Sequence, residues 1–164
     1  MTDQEIYEMA HARWYYEDGV LYSKRTKKII GAIATNGYMS ISTTINNGPH
    51  CQFRVHRIIF LMHHGYLPDV VDHINRDILD NRIENLRAAT VHENSFNRST
   101  SPRNKLGVKG VVYESRFKLK PYVAYIKLPS GKRTRLGQWA TLEEAAAAYN
   151  KAAQQLHGTF APLT

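Results

Sequence analysis

Asp72 and His73 stand side by side at the end of an apolar pair, Val70-Val71, and Asn94 follows in the run His92-Glu93-Asn94. A carboxylate and an amide offer hard oxygen donors for a divalent cation, and an imidazole can take a proton near neutral pH. Together they suit a site that holds an ion and activates water. Their positions follow from the segments that carry them. Val70-Val71-Asp72-His73 reads as a short buried strand, and Leu86-Arg87-Ala88-Ala89 as its partner. Thr90 and Glu93 form a capping box, so a helix starts there. The unit is strand, long loop, strand, helix. Neighbouring side chains on a strand leave in opposite directions. Asp72 and Asn94, about one turn into the helix, can therefore converge on one ion, while His73 faces the other side as a base.

The loop 75–85 is rich in Asn, Asp and Arg, residues that close turns on their own backbone. Asn85, between the apolar Ile83 and Leu86, is expected to bridge backbone groups across this loop, as a support and not a ligand. Arg76, Arg82 and Arg87 are candidates to meet phosphates. The Asp72-His73 pair, Asn85 within Ile83-Glu84-Asn85-Leu86, and Asn94 resemble the HNH nuclease family over about residues 54–97. Order and spacing are similar to the His/Asn type found in phage and intron-encoded homing endonucleases. The resemblance implies a ββα-metal fold and hydrolysis of DNA phosphodiesters to 5′-phosphate and 3′-hydroxyl ends. It implies Mg²⁺ or Mn²⁺ held by Asp72 and Asn94, and His73 as general base. Two oxygen ligands without a thiolate suit such hard ions better than zinc. Many members carry a structural zinc knuckle; with Cys51 as the one cysteine, none is expected here.

The chain has 164 residues, enough for one ordinary domain or two small ones, with 22 Lys and Arg against 14 Asp and Glu. The formal charge of +8 favours a polyanionic partner. A lone cysteine excludes an internal disulfide and fits a reducing cytoplasm, the host's if the chain is phage-encoded. The N-terminus lacks a basic-then-apolar signal pattern, and no apolar run approaches a membrane span.

Residues 1–12 read as weakly helical and loosely held. From Trp14 a β-meander follows: Val20-Leu21-Tyr22, Lys28-Ile29-Ile30 and Tyr38-Met39-Ser40-Ile41, with turns at Asp18-Gly19, Asn36-Gly37 and Asn46-Asn47-Gly48. A strand at Gln52-Phe53-Arg54-Val55 enters a helix of about residues 56–64, ended by Gly65. Arg57 is a candidate phosphate contact and His56 a candidate wall of the site, although a His at a strand–helix junction is often a packing residue. His63, His64 and His92 read as surface residues.

Residues 98–105 read as a linker. Beyond it, Gly107-Val108-Lys109-Gly110-Val111, Tyr122-Val123-Ala124-Tyr125-Ile126-Lys127 and Arg135-Leu136-Gly137-Gln138-Trp139 supply three β segments. Thr141 and Glu144 cap an Ala-rich helix with Leu142, Ala145, Ala146, Tyr149, Ala153 and Leu156 on one stripe and Gly158 as its stop. This part resembles the plant APETALA2/ethylene-response-factor DNA-binding domain, in which a sheet face lies in the major groove and the helix supports it. By position, Lys109, Tyr125, Lys127, Arg133 and Arg135 fall on that family's DNA contacts. Tyr125 stands where the family has Glu, and Arg135 where it has a groove-facing Trp, so the plant target sequence does not carry over. Trp139 reads as core.

The expected fold is α+β: an N-terminal meander and HNH unit in residues 1–97, then a three-stranded antiparallel sheet on one helix in 106–164. The expected function is a metal-dependent DNA endonuclease acting on double-stranded DNA, of the phage homing type. The alternative is a non-catalytic, sequence-specific DNA-binding protein. One active centre cuts one strand, so nicking or double-strand cleavage, and monomer or dimer, stay open.

Overall fold

The computed structural model describes residues 2–44, 48–97, 100–101, 103–128 and 130–161. Among them, all strand pairs are antiparallel and four α-helices accompany them. The chain divides into two compact units, Met1–Asn94 and Ser95–Thr164.

The first unit opens with α1 (Asp3–Arg13). The Glu5 N–H donates to Thr2 Oγ1 and the Thr2 N–H to the Glu5 carboxylate, a reciprocal cap. Ile6, Met9 and Ala10 are buried in the core. The N-terminus is thus docked, against the expectation of a loose segment. Its few apolar residues gave little periodicity, yet three well-placed ones suffice. The hairpin β1 (Trp14–Glu17) and β2 (Val20–Ser23) turns through Asp18 and Gly19, both at positive φ. Residues 28–30 form only an isolated bridge, Tyr22 to Ile29, and not the expected strand. The meander is β3 (Ala32–Ile33), β4 (Met39–Thr44) and β5 (His50–Arg54). Of the expected turn Asn46-Asn47-Gly48, the two asparagines lie outside the described residues.

At the centre of this unit lies α2 (Val55–His64), in which Val55, Ile58, Ile59, Phe60 and Leu61 are buried. A helix apolar on nearly every side must be covered on nearly every side, and α1, β4, β5 and the next hairpin all pack on it. Gly65, at φ 77°, ends it in the left-handed conformation that glycine adopts most readily. Then come β6 (Val70–His73), β7 (Leu86–Ala89) and α3 (Val91–Asn97). Val71 and Leu86 join the core and anchor the hairpin.

In the second unit β8 (Val111–Tyr113), β9 (Tyr122–Lys127) and β10 (Arg133–Trp139) form a sheet in the order β10-β9-β8. Across it packs α4 (Leu142–His157), opened by the Thr141–Glu144 capping box. Ala145, Tyr149 and Ala153 are buried beneath it, Trp139 packs against the same core, and Leu156 is 40 % exposed, outside the expected stripe. Gly110 lets helix and sheet approach: a Cβ there would sit 2.2 Å from the Tyr149 ring. Within this unit the Phe96 ring stacks on His157 and Lys109 Nζ donates to the Phe96 carbonyl. Arg98, Ser99 and Pro102 of that segment lie outside the described residues. No helix among the described residues is long and apolar enough to cross a membrane.

Candidate active site

Strands β6 and β7 pair with His73 opposite Leu86 and Asp72 opposite Arg87. Directly opposed residues share a face, so Asp72 and Arg87 meet across the strands. The Asp72 carboxylate accepts from Arg87 Nε at 2.8 Å and pairs with Nη2 at 2.6 Å. Asp72 is 6 % exposed, and a buried carboxylate needs such a partner to keep its charge. His73, 4 % exposed, points the other way. Its ring lies edge-on to His56 at 4.8 Å, with Tyr38 at 6.2 Å, and its Nε2 is 3.0 Å from Asn81 Oδ1.

The loop between these strands is braced from within. Asn85 ends a 3-10 turn (Ile83–Asn85). Its side chain accepts from the Asn75 N–H at 2.9 Å and donates to the Asp80 carbonyl at 2.8 Å. Its own carbonyl accepts from the Ile74 N–H at 2.8 Å. The Asp80 carboxylate takes two guanidinium bonds from Arg82 and, mainly through these, is held down at about 2. Arg82, considered as a phosphate contact, is thereby engaged within the loop. From outside, the β1–β2 turn closes on the same loop: a Cβ on Gly19 would lie 2.4 Å from the Arg82 nitrogen. Substituting Asn85 by Ala leaves the Asn75 N–H and the Asp80 carbonyl unmatched. We expect a stability loss of about 1–3 kcal/mol, read by denaturant unfolding. A variant with wild-type stability and weakened metal binding would instead make Asn85 a ligand.

His56 lies in the first turn of α2, and burial, first of all, draws its pKa down to about 3 from 6.5; the charges of His73, Arg54 and Arg57 add to the shift. It is neutral beside His73. Below pH 6.5 the unfolded chain takes up this proton while the folded chain does not until about 3. Its contribution to stability is therefore whole above pH 6.5 and is lost as pH falls toward 3. The slope is about 1.4 kcal/mol per pH unit, or roughly 2 kcal/mol by pH 5. His56→Gln should flatten the fall in melting temperature between pH 7 and 5; an unchanged slope would show that His56 does not govern it. Arg57, expected at a phosphate, donates to the carbonyls of Pro68 and Asp69 at 3.2 Å each and so fixes the approach to β6.

Asn94 sits in the first turn of α3, half-buried, with its N–H donating to the Thr90 carbonyl at 3.0 Å. Thr90 and Glu93 form the cap that places this turn directly after β7. Among the described residues, no three His, Cys, Asp or Glu side chains gather where a metal could be held by them alone. The two donors expected from the sequence, Asp72 and Asn94, are one carboxylate and one amide. That chemistry fits a hard cation completing its shell with water and substrate oxygens. The Asp72 carboxylate supplies a buried negative charge, now balanced by Arg87.

In the second unit the register sets Arg133 opposite Lys127 and Arg135 opposite Tyr125, so all four share one sheet face. The Arg133 guanidinium lies 4.0 Å over the Tyr125 ring. The Tyr125 hydroxyl donates to Glu114, whose pKa is lowered first by that bond. Arg135 lies over Phe117 and donates to Gln138. A bulge follows between Arg135 and Gly137. The Lys109 amine donates to the Phe96 carbonyl in the C-terminal turn of α3, where a cation suits the exposed carbonyls.

Sequence reasoning missed Asn81 and Tyr38 as neighbours of His73. In a loop crowded with Asn and Asp, one more amide reads as a turn residue. Arg87 was findable: once His73 pairs with Leu86, counting back one residue puts Asp72 opposite it.

The HNH endonuclease family profile matches residues 53–96. An uncharacterised HNH endonuclease of Acanthamoeba polyphaga mimivirus is 38 % identical over 113 residues, covering 67 % of this chain and 56 % of that protein. The chain thus spans little more than half the length of this relative. The HNH homing endonuclease I-HmuI, seen in a structure of DNA binding and cleavage, aligns over 88 % of this chain and 85 % of its own, at 20 % identity and a TM-score of 0.44. Residues 53–96, from the end of β5 into α3, carry Asp72, His73, Asn85 and Asn94 and are similar to the HNH endonuclease family.

Proposed function

We propose that the chain is a metal-dependent DNA endonuclease of the homing type, with residues 95–164 as its DNA-targeting unit. The observation that carries this is the β6–β7 hairpin within the HNH-matching segment: a buried Asp72 on one face and a buried His73 on the other. Asp72 and Asn94 would hold Mg²⁺ or Mn²⁺, which when bound supplies Lewis-acid stabilisation of charge at the leaving 3′ oxygen. His73 takes a proton from the attacking water. The water oxygen bonds to phosphorus, the bond to the 3′ oxygen breaks, and that oxygen takes a proton from solvent, giving 5′-phosphate and 3′-hydroxyl ends. Arg87, paired with Asp72, would be a second positive group near the phosphate. Tyr125, Lys127, Arg133 and Arg135 would contact the duplex through phosphates and base edges. A relative encoded by a virus of an amoeba is consistent with a viral or mobile-element origin. The test is nicking of supercoiled plasmid with Mg²⁺, Mn²⁺ or EDTA. Metal-dependent nicking is expected. DNA binding without cleavage under any metal would leave a non-catalytic DNA-binding protein.

A further inference from the structure

Asn81 is 4 % exposed, and its Oδ1 lies 3.0 Å from His73 Nε2. An amide oxygen only accepts, so this contact is a hydrogen bond when Nε2 carries the proton. In the neutral ring the lone pair then resides on Nδ1. Asn81 is itself held on every side. Its N–H donates to the Leu79 carbonyl at 3.1 Å. The Asp80 carbonyl before it is gripped by Asn85, and Arg82 after it is clamped by Asp80. Gly19 closes the outer side: a Cβ there would come within 2.6 Å of the Asn81 carbonyl carbon. His56, edge-on at 4.8 Å, limits the ring of His73 from another direction. A residue with no duty beyond closing a turn has no need of so rigid a seat.

We infer that Asn81 is a positioning residue for the cleavage step: by accepting from Nε2–H it fixes the tautomer of His73 and makes Nδ1 the atom that takes the proton from water. The inference rests on His73 being the base. It also gives Asn85 a route to the chemistry, through the Asp80 carbonyl to Asn81 and from there to the imidazole.

The test reads the tautomer directly. Imidazole ¹⁵N shifts of the full chain, with the His73 signals identified by their loss in His73→Ala, are recorded at about pH 8.5, where an ordinary imidazole is neutral. The wild-type ring should show a protonated Nε2 and a bare Nδ1. Asn81→Ala should show a mixture of tautomers. Its cleavage rate at saturating DNA should fall about 10²-fold or more, the scale on which base catalysis and a correct tautomer act, with affinity for DNA within about threefold. Asn81→Asp keeps an acceptor at the same place and should restore the Nε2–H form and most of the rate. A wild-type ring protonated on Nδ1 overturns the inference, and needs no variant to fold. So does an Asn81→Ala protein with unchanged tautomer and rate. If His73→Ala itself still cuts DNA, the base is misassigned, and the wild-type tautomer alone then shows whether Asn81 sets the ring.

Discussion

His73→Ala is expected to bind DNA nearly as the wild type does and to cut it about 10²–10⁴-fold more slowly, the usual loss when a positioned base is removed. The size follows from the seat of the ring. The ring is buried at 4 % exposure between His56 and Asn81. His56 cannot substitute, because burial holds its pKa at about 3 and favours a neutral packing role. Binding should survive because His73 is buried and the basic sheet face lies in the other unit. Single-turnover cleavage and gel-shift titration on one duplex separate the two quantities. Full turnover in the variant would remove His73 from the mechanism.

Ending the chain at residue 103 is expected to weaken DNA binding by roughly 10²–10⁴-fold, the gain that a tethered second module ordinarily confers. Met1–Asn94 is a compact unit with its own core, so the hairpin with Asp72 and His73 should persist. The last turn of α3 loses His157 and Lys109, but Asn94 sits in the first turn, anchored by Thr90. Loss of Lys127, Arg133 and Arg135 should flatten the dependence of log affinity on log salt by about 0.9 for each phosphate contact removed. Residual cutting should become less selective for sequence. In the full chain, Arg133→Ala and Arg135→Ala should differ if one arginine reads a base, which costs about 1–3 kcal/mol at a single position of the site. An identical target, affinity and salt slope in the truncated chain would show that residues 104–164 do not choose the site.

The parts of the fold written in local chemistry were legible in the sequence. The strands around Asp72 and around Arg87 showed as short apolar runs, and two of the caps, at Thr90 and Thr141, as Thr-x-x-Glu. Gly65 and Gly158 marked where α2 and α4 stop. What was not legible depends on contacts between distant segments. The cap at Thr2 has the same pattern, yet the segment's sparse apolar residues hid its docking; only the core shows that Ile6, Met9 and Ala10 are enough. Arg57 and Lys109 read as DNA contacts, and the backbone groups they hold could not be read beside that. Their backbone partners, Pro68, Asp69 and Phe96, lie 11 to 13 residues away along the chain. Asn81 was hidden by its neighbours, since composition cannot say which amide of a loop reaches an imidazole.

The turn at Gly19 bears on how portable this chemistry is. The segment that matches the family, residues 53–96, contains every side chain proposed to act on the phosphodiester, yet Gly19 and Tyr38, which wall in Asn81 and His73, come from outside it. A minimal nuclease excised at those ends would keep its reagents and lose part of their mould. Nor can the loop be exchanged freely for a longer one, because a turn with room for no side chain already occupies the space beside Arg82. The smallest transplantable unit therefore starts no later than the hairpin at Trp14, and an engineer who shuffles loops in this scaffold must move residues 18–19 and 80–82 as a pair.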